Sequence, residues 1–395
     1  MTQAGRSTAQ IPPGVVTLAD HEALAHTRLD ANAWAYFSGG AADELTLQGN
    51  QAAWQHQLLQ PRILRKLAGG HTRSQLLGRT LAHPIFLAPV AYQLLAHPDG
   101  EMATACAASA QQAGLVLSTQ ASLPLETVAQ AVVNDPERGP LWFQLYLTHD
   151  PSFNRELLHR AEAAGYEALV VTVDAPVNGA RDRERRAGFR LPPGVSAVNL
   201  AGLPPEPAAP LSSGQSALFD GLLRHATTWL DIDWLLSNTR LPVLLKGVMH
   251  PMDARLAMQL GVAGLIVSNH GGRTLDTAPS TAAVLARIRQ AVGADVPLLV
   301  DGGIRRGTDV LKAIALGANA VLIGRPYIYA LANAGALGVA HVIRLLRDEL
   351  EIAMALCGCA TLADVTVDCL FSPDEAVGQS RTRWLSAGCP GKFSM

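Results

Sequence analysis

The chain has 395 residues, of which 49% are hydrophobic, with a mean hydropathy of +0.17, a formal net charge of −2 and a pI of about 6.6. That length and apolar content can bury a large core, and the near-neutral balance excludes a global field that would draw nucleic acid or an anionic membrane. The five cysteines, Cys106, Cys357, Cys359, Cys369 and Cys389, are few, odd in number and without CxxC spacing, which suits a reducing compartment and argues against a zinc site.

Residues 1–14 read as a polar tail with no charged-then-apolar signal pattern, and no uninterrupted apolar run reaches the length of a membrane span, so the cytoplasm is the expected location. Thr17 can cap a helix through Leu18–Leu24, and a second helix through Ala31–Phe37 should stop at Gly39-Gly40, giving an N-terminal helical appendage. From Pro84 onward, branched apolar runs alternate with Ala- and Leu-rich segments of helical length. The runs are Ile85–Ala88, Leu115–Leu117, Leu141–Leu145, Ala168–Val173, Val243–Leu245, Gly264–Val267, Leu298–Val300 and Ala320–Ile323.

Eight such strands point to a closed (β/α)8 TIM barrel of the α/β class, and the absence of GxGxxG and GK[ST] removes the fingerprints of a dinucleotide-binding open sheet or a P-loop. One interval is long. About 70 residues separate the fourth and fifth strands, and the Pro/Gly/Ser-rich part from Leu191 suggests a lid over about 191–231. Before it, the basic run Arg181–Arg186 is interleaved with acids and reads as a solvated loop rather than a polyanion site. Leu337–Leu356 has the spacing of a closing helix, residues 15–371 form one domain, and residues 372–395 read as a C-terminal tail.

In such a barrel the reactive groups sit where strands end. After Gly264–Val267 the chain turns polar at Ser268-Asn269-His270-Gly271-Gly272-Arg273, which places a base and a carboxylate-gripping guanidinium in one short loop. The other strand ends supply Ala88, Pro89, Val90 and Ala91; Ser118, Thr119 and Gln120; Gln144 and Tyr146; Thr172 and Asp174; and Lys246. The last two loops, with Asp301, Gly302, Gly303 and Arg305, then Gly324 and Arg325, offer glycine amides and guanidiniums that can cradle a phosphate. Lys246 closes an apolar strand and needs an anionic or strongly accepting partner, while Gln144, Ser118 and Thr172 can read the edge of a flat heterocycle. Flavin mononucleotide (FMN) fits this set, with Lys246 stabilising negative charge on the reduced ring.

The motifs Tyr36–Glu44, Ala88–Ala91 with His97–Glu101, Trp142–Tyr146, Thr172–Asp174, Lys246–Val248, Ser268–Arg273 and Asp301–Gly307 follow one another in an order that resembles the FMN-dependent L-2-hydroxy acid oxidases and dehydrogenases, such as glycolate oxidase, lactate oxidase and mandelate dehydrogenase. The resemblance runs from about Thr17 to Phe371. It implies that His270, paired with Asp174, is the catalytic base, that Arg273 and Tyr36 hold the substrate carboxylate, and that Tyr146 and Arg181 assist at the hydroxyl and the developing carbonyl. Two electrons would pass from C2 to flavin N5, either as a hydride or after removal of the C2 proton. Gln120 stands where glycolate and lactate oxidases carry an aromatic residue, and Asn178 where glycolate oxidase is apolar; with Tyr92 they are expected to line the substrate's side-chain pocket. Ala91 resembles the residue of the oxidases, which favours O2 as acceptor and H2O2 as product over a dehydrogenase feeding a quinone or cytochrome. The family also implies a homotetramer.

Overall fold

The computed structural model describes residues 10–206 and 211–372, so residues 1–9 of the expected tail, positions 207–210 of the expected lid and nearly all of the C-terminal tail, with Cys389, lie outside the described residues. Helix α1, Leu18–Arg28, opens on a capping box in which Thr17 Oγ1 accepts from the Asp20 amide at 3.1 Å and the Asp20 carboxylate accepts from the Thr17 amide at 2.8 Å. Asp30 opens α2, Ala31–Ser38, by accepting from the Ala33 amide, and Gly39 closes it. A third helix, α3 (Leu45–His56), and a hairpin of β1 (Ser74–Leu76) and β2 (Arg79–Leu81) precede the barrel and have no counterpart among the expected elements.

The barrel strands are β3 (Ile85–Leu87), β4 (Gly114–Leu117), β5 (Leu141–Leu145), β6 (Ala168–Thr172), β7 (Val243–Lys246), β8 (Gly264–Val267), β9 (Leu298–Val300) and β10 (Ala320–Ile323). All pair in parallel, and β10 closes on β3 with Val321 opposite Ile85. Side chains alternate across the wall: Leu169 and Val171 of β6 face the outer helical layer, whereas Val170 joins Phe86, Val116, Trp142, Leu244, Ile266, Leu299 and Leu322 inside. Leu76 and Leu81 of the hairpin join this inner cluster, so the barrel is a packed core. Gly114 is required here, because a Cβ on it would lie 2.1 Å from the Phe86 ring.

The helices that follow the strands are α4 (Gly100–Ala110), α5 (Leu125–Val132), α6 (Pro151–Ala163), α7 (Asp182–Ala187), α8 (Trp229–Asn238), α9 (Pro251–Gln259), α10 (Thr281–Val292), α11 (Gly307–Ala315) and α12 (Arg325–Leu356). The closing helix α12 thus begins at Arg325 rather than Leu337, with a break at Ala334-Gly335 where Gly335 takes φ +55°. By length and composition it is apolar enough to cross a membrane, but Tyr327, Leu331, Val342, Leu346 and Leu350 are buried, and the helix packs on α1, α4 and α11. The long interval after β6 carries α7, a 3-10 turn at Val198–Leu200 and a π turn at Ala217–Leu222. Its near end is anchored, since buried Asn199 accepts from the Leu125 amide at 2.8 Å and donates to the Leu123 carbonyl.

Candidate active site

Beyond β8 the chain makes a tight turn held at both ends by α3. Asn269 exchanges two hydrogen bonds with Asn50 of α3, at 2.8 and 2.9 Å, and Gly272 packs so closely on α3 that a Cβ would lie 2.6 Å from the Leu47 amide nitrogen. Between them His270 is held at φ +56°, a left-handed conformation that costs a non-glycine residue about 1–3 kcal/mol and that only a well-determined surrounding sustains. Its amide donates to Ser268 Oγ at 3.1 Å, and its ring Nδ1 lies 2.9 Å from Asp174 Oδ1. The carboxylate fixes the proton on Nδ1 and leaves the Nε2 lone pair for a substrate. Burial, Lys246 and Arg273 together pull the His270 pKa below the usual 6.5, although Asp174 opposes them. Burial lifts the Asp174 carboxyl, but the charge and hydrogen bond of His270, with Lys246 beyond, outweigh it and hold the pKa below the ordinary value. The pair is therefore a neutral imidazole backed by a carboxylate.

Arg273 faces the same space. Its Nη1 donates to the carbonyls of Tyr36 at 2.6 Å and Gly39 at 2.9 Å, and its Nη2 donates to Glu184 Oε1 at 2.9 Å. Arg181 Nη1 approaches the same Glu184 oxygen at 3.5 Å, and the buried Arg181 Nε has no protein partner. The Arg273 guanidinium sits 5.0 Å from the centre of the Tyr36 ring, which stacks on Phe189. Burial pushes the Tyr36 phenol up to about 12 and raises that of Tyr146, so both remain O–H donors at neutral pH.

A cavity of about 630 Å³ joins these groups to the loops after β9 and β10. The expected catalytic, substrate-binding and cofactor-binding residues line it except Asp174 and Ser268, which stand one layer back behind His270 and Lys246, and Thr119, whose hydroxyl is turned away to the Gln144 carbonyl. Lys246 Nζ is buried between Ser268 Oγ at 2.9 Å and Asp301 Oδ2 at 3.0 Å. Burial alone would discharge it, but Asp301 and Asp174 raise its pKa above the usual value, so it stays an ammonium. Gln144 accepts through Oε1 from Ser118 Oγ and the Thr119 amide, both at 3.2 Å, while its buried Nε2 has no protein partner. That unspent donor in the cavity wall, beside an ammonium and a pair of left-handed glycines at Gly302 and Gly303, fits FMN: Gln144 and Lys246 would meet the ring, and the glycine loops with Arg305 and Arg325 the phosphate. Arg325 is also a strut, donating to the carbonyls of Phe37, Gly39 and Gly271 at 2.7–3.0 Å, and burial brings its pKa down to about 10.

The basic run 181–186 is not simply solvated: Arg185 and Arg186 point outward, but Arg181 and Glu184 turn into the cavity and Arg183 pairs with Glu44. Glu184, Phe37, Phe189 and Leu191 line the cavity and were not anticipated. The signal for Glu184 was its position, one helical turn after Arg181, which puts the two side chains on one face.

Fold and site together define a flavin-type oxidoreductase built on a (β/α)8 barrel. A family model described as FMN-dependent dehydrogenase matches residues 25–372, and the chain belongs to that family. Similar proteins include an L-lactate oxidase of Alicycliphilus denitrificans, 52% identical over 91% of this chain and 98% of that protein, and glycolate oxidase 1 of Zea mays, 42% identical over 89% and 94%. Among solved structures, mandelate oxidase with (S)-2-phenylpropionate superposes with a TM-score of 0.80 at 40% identity, over 90% of this chain and 98% of that one.

Proposed function

We propose that the protein oxidises an L-2-hydroxy acid of the lactate type to the 2-oxo acid, with FMN as cofactor. When bound, FMN supplies a two-electron acceptor that O2 reoxidises, with H2O2 as the product. The observation that carries the reading is the convergence on one cavity of the His270–Asp174 pair and the unspent donors of Arg273 and Arg181. Arg273 and Tyr36 bind the substrate carboxylate, which orients C2 and its hydroxyl toward His270 Nε2. His270 takes up a proton as the substrate is oxidised, and Asp174 stabilises the imidazolium that results. Tyr146 and Arg181 donate toward the substrate hydroxyl and the carbonyl it becomes, and Lys246 balances negative charge at the far side of the cavity. Gln120, Tyr92 and Asn178 line the space left for the substrate's side chain.

Ala91 in the wall, together with relatives named as oxidases, supports O2 as acceptor over a quinone or cytochrome. The test is the visible spectrum of the purified protein under anaerobic conditions. Flavin bands that bleach with L-lactate and return promptly in air are expected; bands unaffected by any 2-hydroxy acid would overturn the reading, and bands that bleach but return only slowly would replace O2 by another acceptor.

A further inference from the structure

A carboxylate in the wall of a site that binds carboxylates needs a reason. Glu184 lies on α7 with its side chain 12% exposed, and a single oxygen, Oε1, meets both Arg273 Nη2 at 2.9 Å and Arg181 Nη1 at 3.5 Å. A guanidinium has five N–H donors. In Arg273 the carbonyls of Tyr36 and Gly39 take the two on Nη1 and Glu184 takes one on Nη2, which leaves Nε–H and one Nη2–H, the number a bidentate carboxylate uses. Without Glu184 the guanidinium would be held only along its Nη1 side and would lose the constraint on its plane.

Arg181 and Arg273, with side chains 18% and 14% exposed, together carry +2 in the cavity wall, and Glu184 reduces the sum of the three to +1. Burial and the neighbouring Arg181 already pull Arg273 below the ordinary guanidinium range, so the pair is under mutual repulsion that Glu184 relieves. A site at +1 is matched by one carboxylate.

We infer that Glu184 is a positioning and specificity-determining residue: it presents the two free donors of Arg273 to the substrate and sets the charge of the arginine pair so that the pocket prefers a singly charged acid over a doubly charged one of the same shape. The inference rests on the reading above that this pocket receives the carboxylate of a 2-hydroxy acid.

The test uses the flavin-loaded enzyme and two dead-end ligands that differ chiefly in charge, oxamate (−1) and oxalate (−2), with binding read from the perturbation of the flavin spectrum. E184Q keeps an oxygen acceptor for Arg273 and removes the charge, so it should shift relative affinity toward oxalate by tenfold or more. E184A removes the hold as well and should raise KM for L-lactate tenfold or more, with a much smaller change in kcat. An oxamate-to-oxalate ratio unchanged in E184Q overturns the charge assignment. An unchanged KM in E184A, or a loss confined to kcat, overturns the positioning role. Should E184A fail to retain flavin, E184D, which shortens the arm by one methylene, replaces it and should raise KM in the same direction. Wild-type enzyme that binds both anions but is not bleached by any 2-hydroxy acid would remove the oxidase reading and leave the charge assignment to be judged by the ratio alone.

Discussion

At the scale of single residues the chemistry depends on keeping His270 neutral and aimed. Replacing His270 by Ala should leave the flavin bound and lower the rate of its reduction by L-lactate by on the order of 10²–10⁴-fold, the range expected for a lost general base. Stopped-flow absorbance measures it, and a rate within threefold of wild type would remove His270 from the mechanism. The pH dependence has a definite sign. Because the His270 pKa lies below 6.5, the base is available at neutral pH, and kcat/KM should fall only on the acid side of pH 6.5 as Nε2 takes up a proton. D174N withdraws the carboxylate that counters the downward pull, so it should move that acid limb to still lower pH as well as reduce kcat; a limb that moves upward would contradict the pairing.

At the scale of elements, the catalytic loop is shaped from outside the barrel. Helix α3 supplies Asn50 for Asn269 and the backbone against which Gly272 is pressed. A G272A substitution introduces a Cβ 2.6 Å from the Leu47 nitrogen at a residue with φ +74°, so it should lower the melting temperature and displace His270 from Asp174. Expected readings are a fall in Tm of several degrees and a loss of activity larger than the loss of folded protein; an unchanged kcat would show that α3 does not set the loop. This element also marks where sequence reading ran out. The eight barrel strands were legible because buried parallel strands are nearly continuous apolar runs, and the loop at 268–273 because it follows one of them. Helix α3, Leu-Thr-Leu-Gln-Gly-Asn-Gln-Ala-Ala-Trp-Gln-His, buries Thr46, Asn50 and Trp54, of which only the last is apolar, so no hydrophobic stripe announces it. The first half of α12 was hidden by Gly335, which breaks the helix without ending it. Glu184 looked like one charge among many because its burial depends on Arg273, some ninety positions away in sequence.

Across the whole molecule, stability should also follow pH. His21 and His83 are buried, and desolvation brings both pKa values down to about 4. A histidine held neutral in the fold contributes stability that is fully present above its unfolded pKa near 6.5 and is lost as pH falls toward 4. Urea unfolding at pH 7 and pH 5 should show a loss on the order of a few kcal/mol, and no loss would mean that neither site is protected. FMN at about 100 times its Kd should add about 2.7 kcal/mol, seen as a rise in Tm. We also propose that the protein assembles as a cytoplasmic homotetramer. Ile63 and Leu64, 81% and 97% exposed, lie on the segment that runs on from the Leu59–Leu370 bridge, and light scattering that returned a monomer would overturn this.

The helix that carries Tyr36 and Phe37 is synthesised before the barrel, yet two of the guanidiniums that hold it come late in the chain. The Phe37 carbonyl waits for Arg325, 288 positions later, and the Tyr36 carbonyl for Arg273, 237 positions later. Contacts from α7 and the residues after it, among them Arg183 Nη1 donating to Ser38 Oγ and Phe189 stacking on the Tyr36 ring, come midway, but the strut from Arg325 is in place only once β10 has closed on β3. Because Gly324 and Arg325 belong to the loop that would meet the phosphate, chains ending before residue 324 should bind FMN far more weakly than the full chain, and equal retention would show that this loop is not needed.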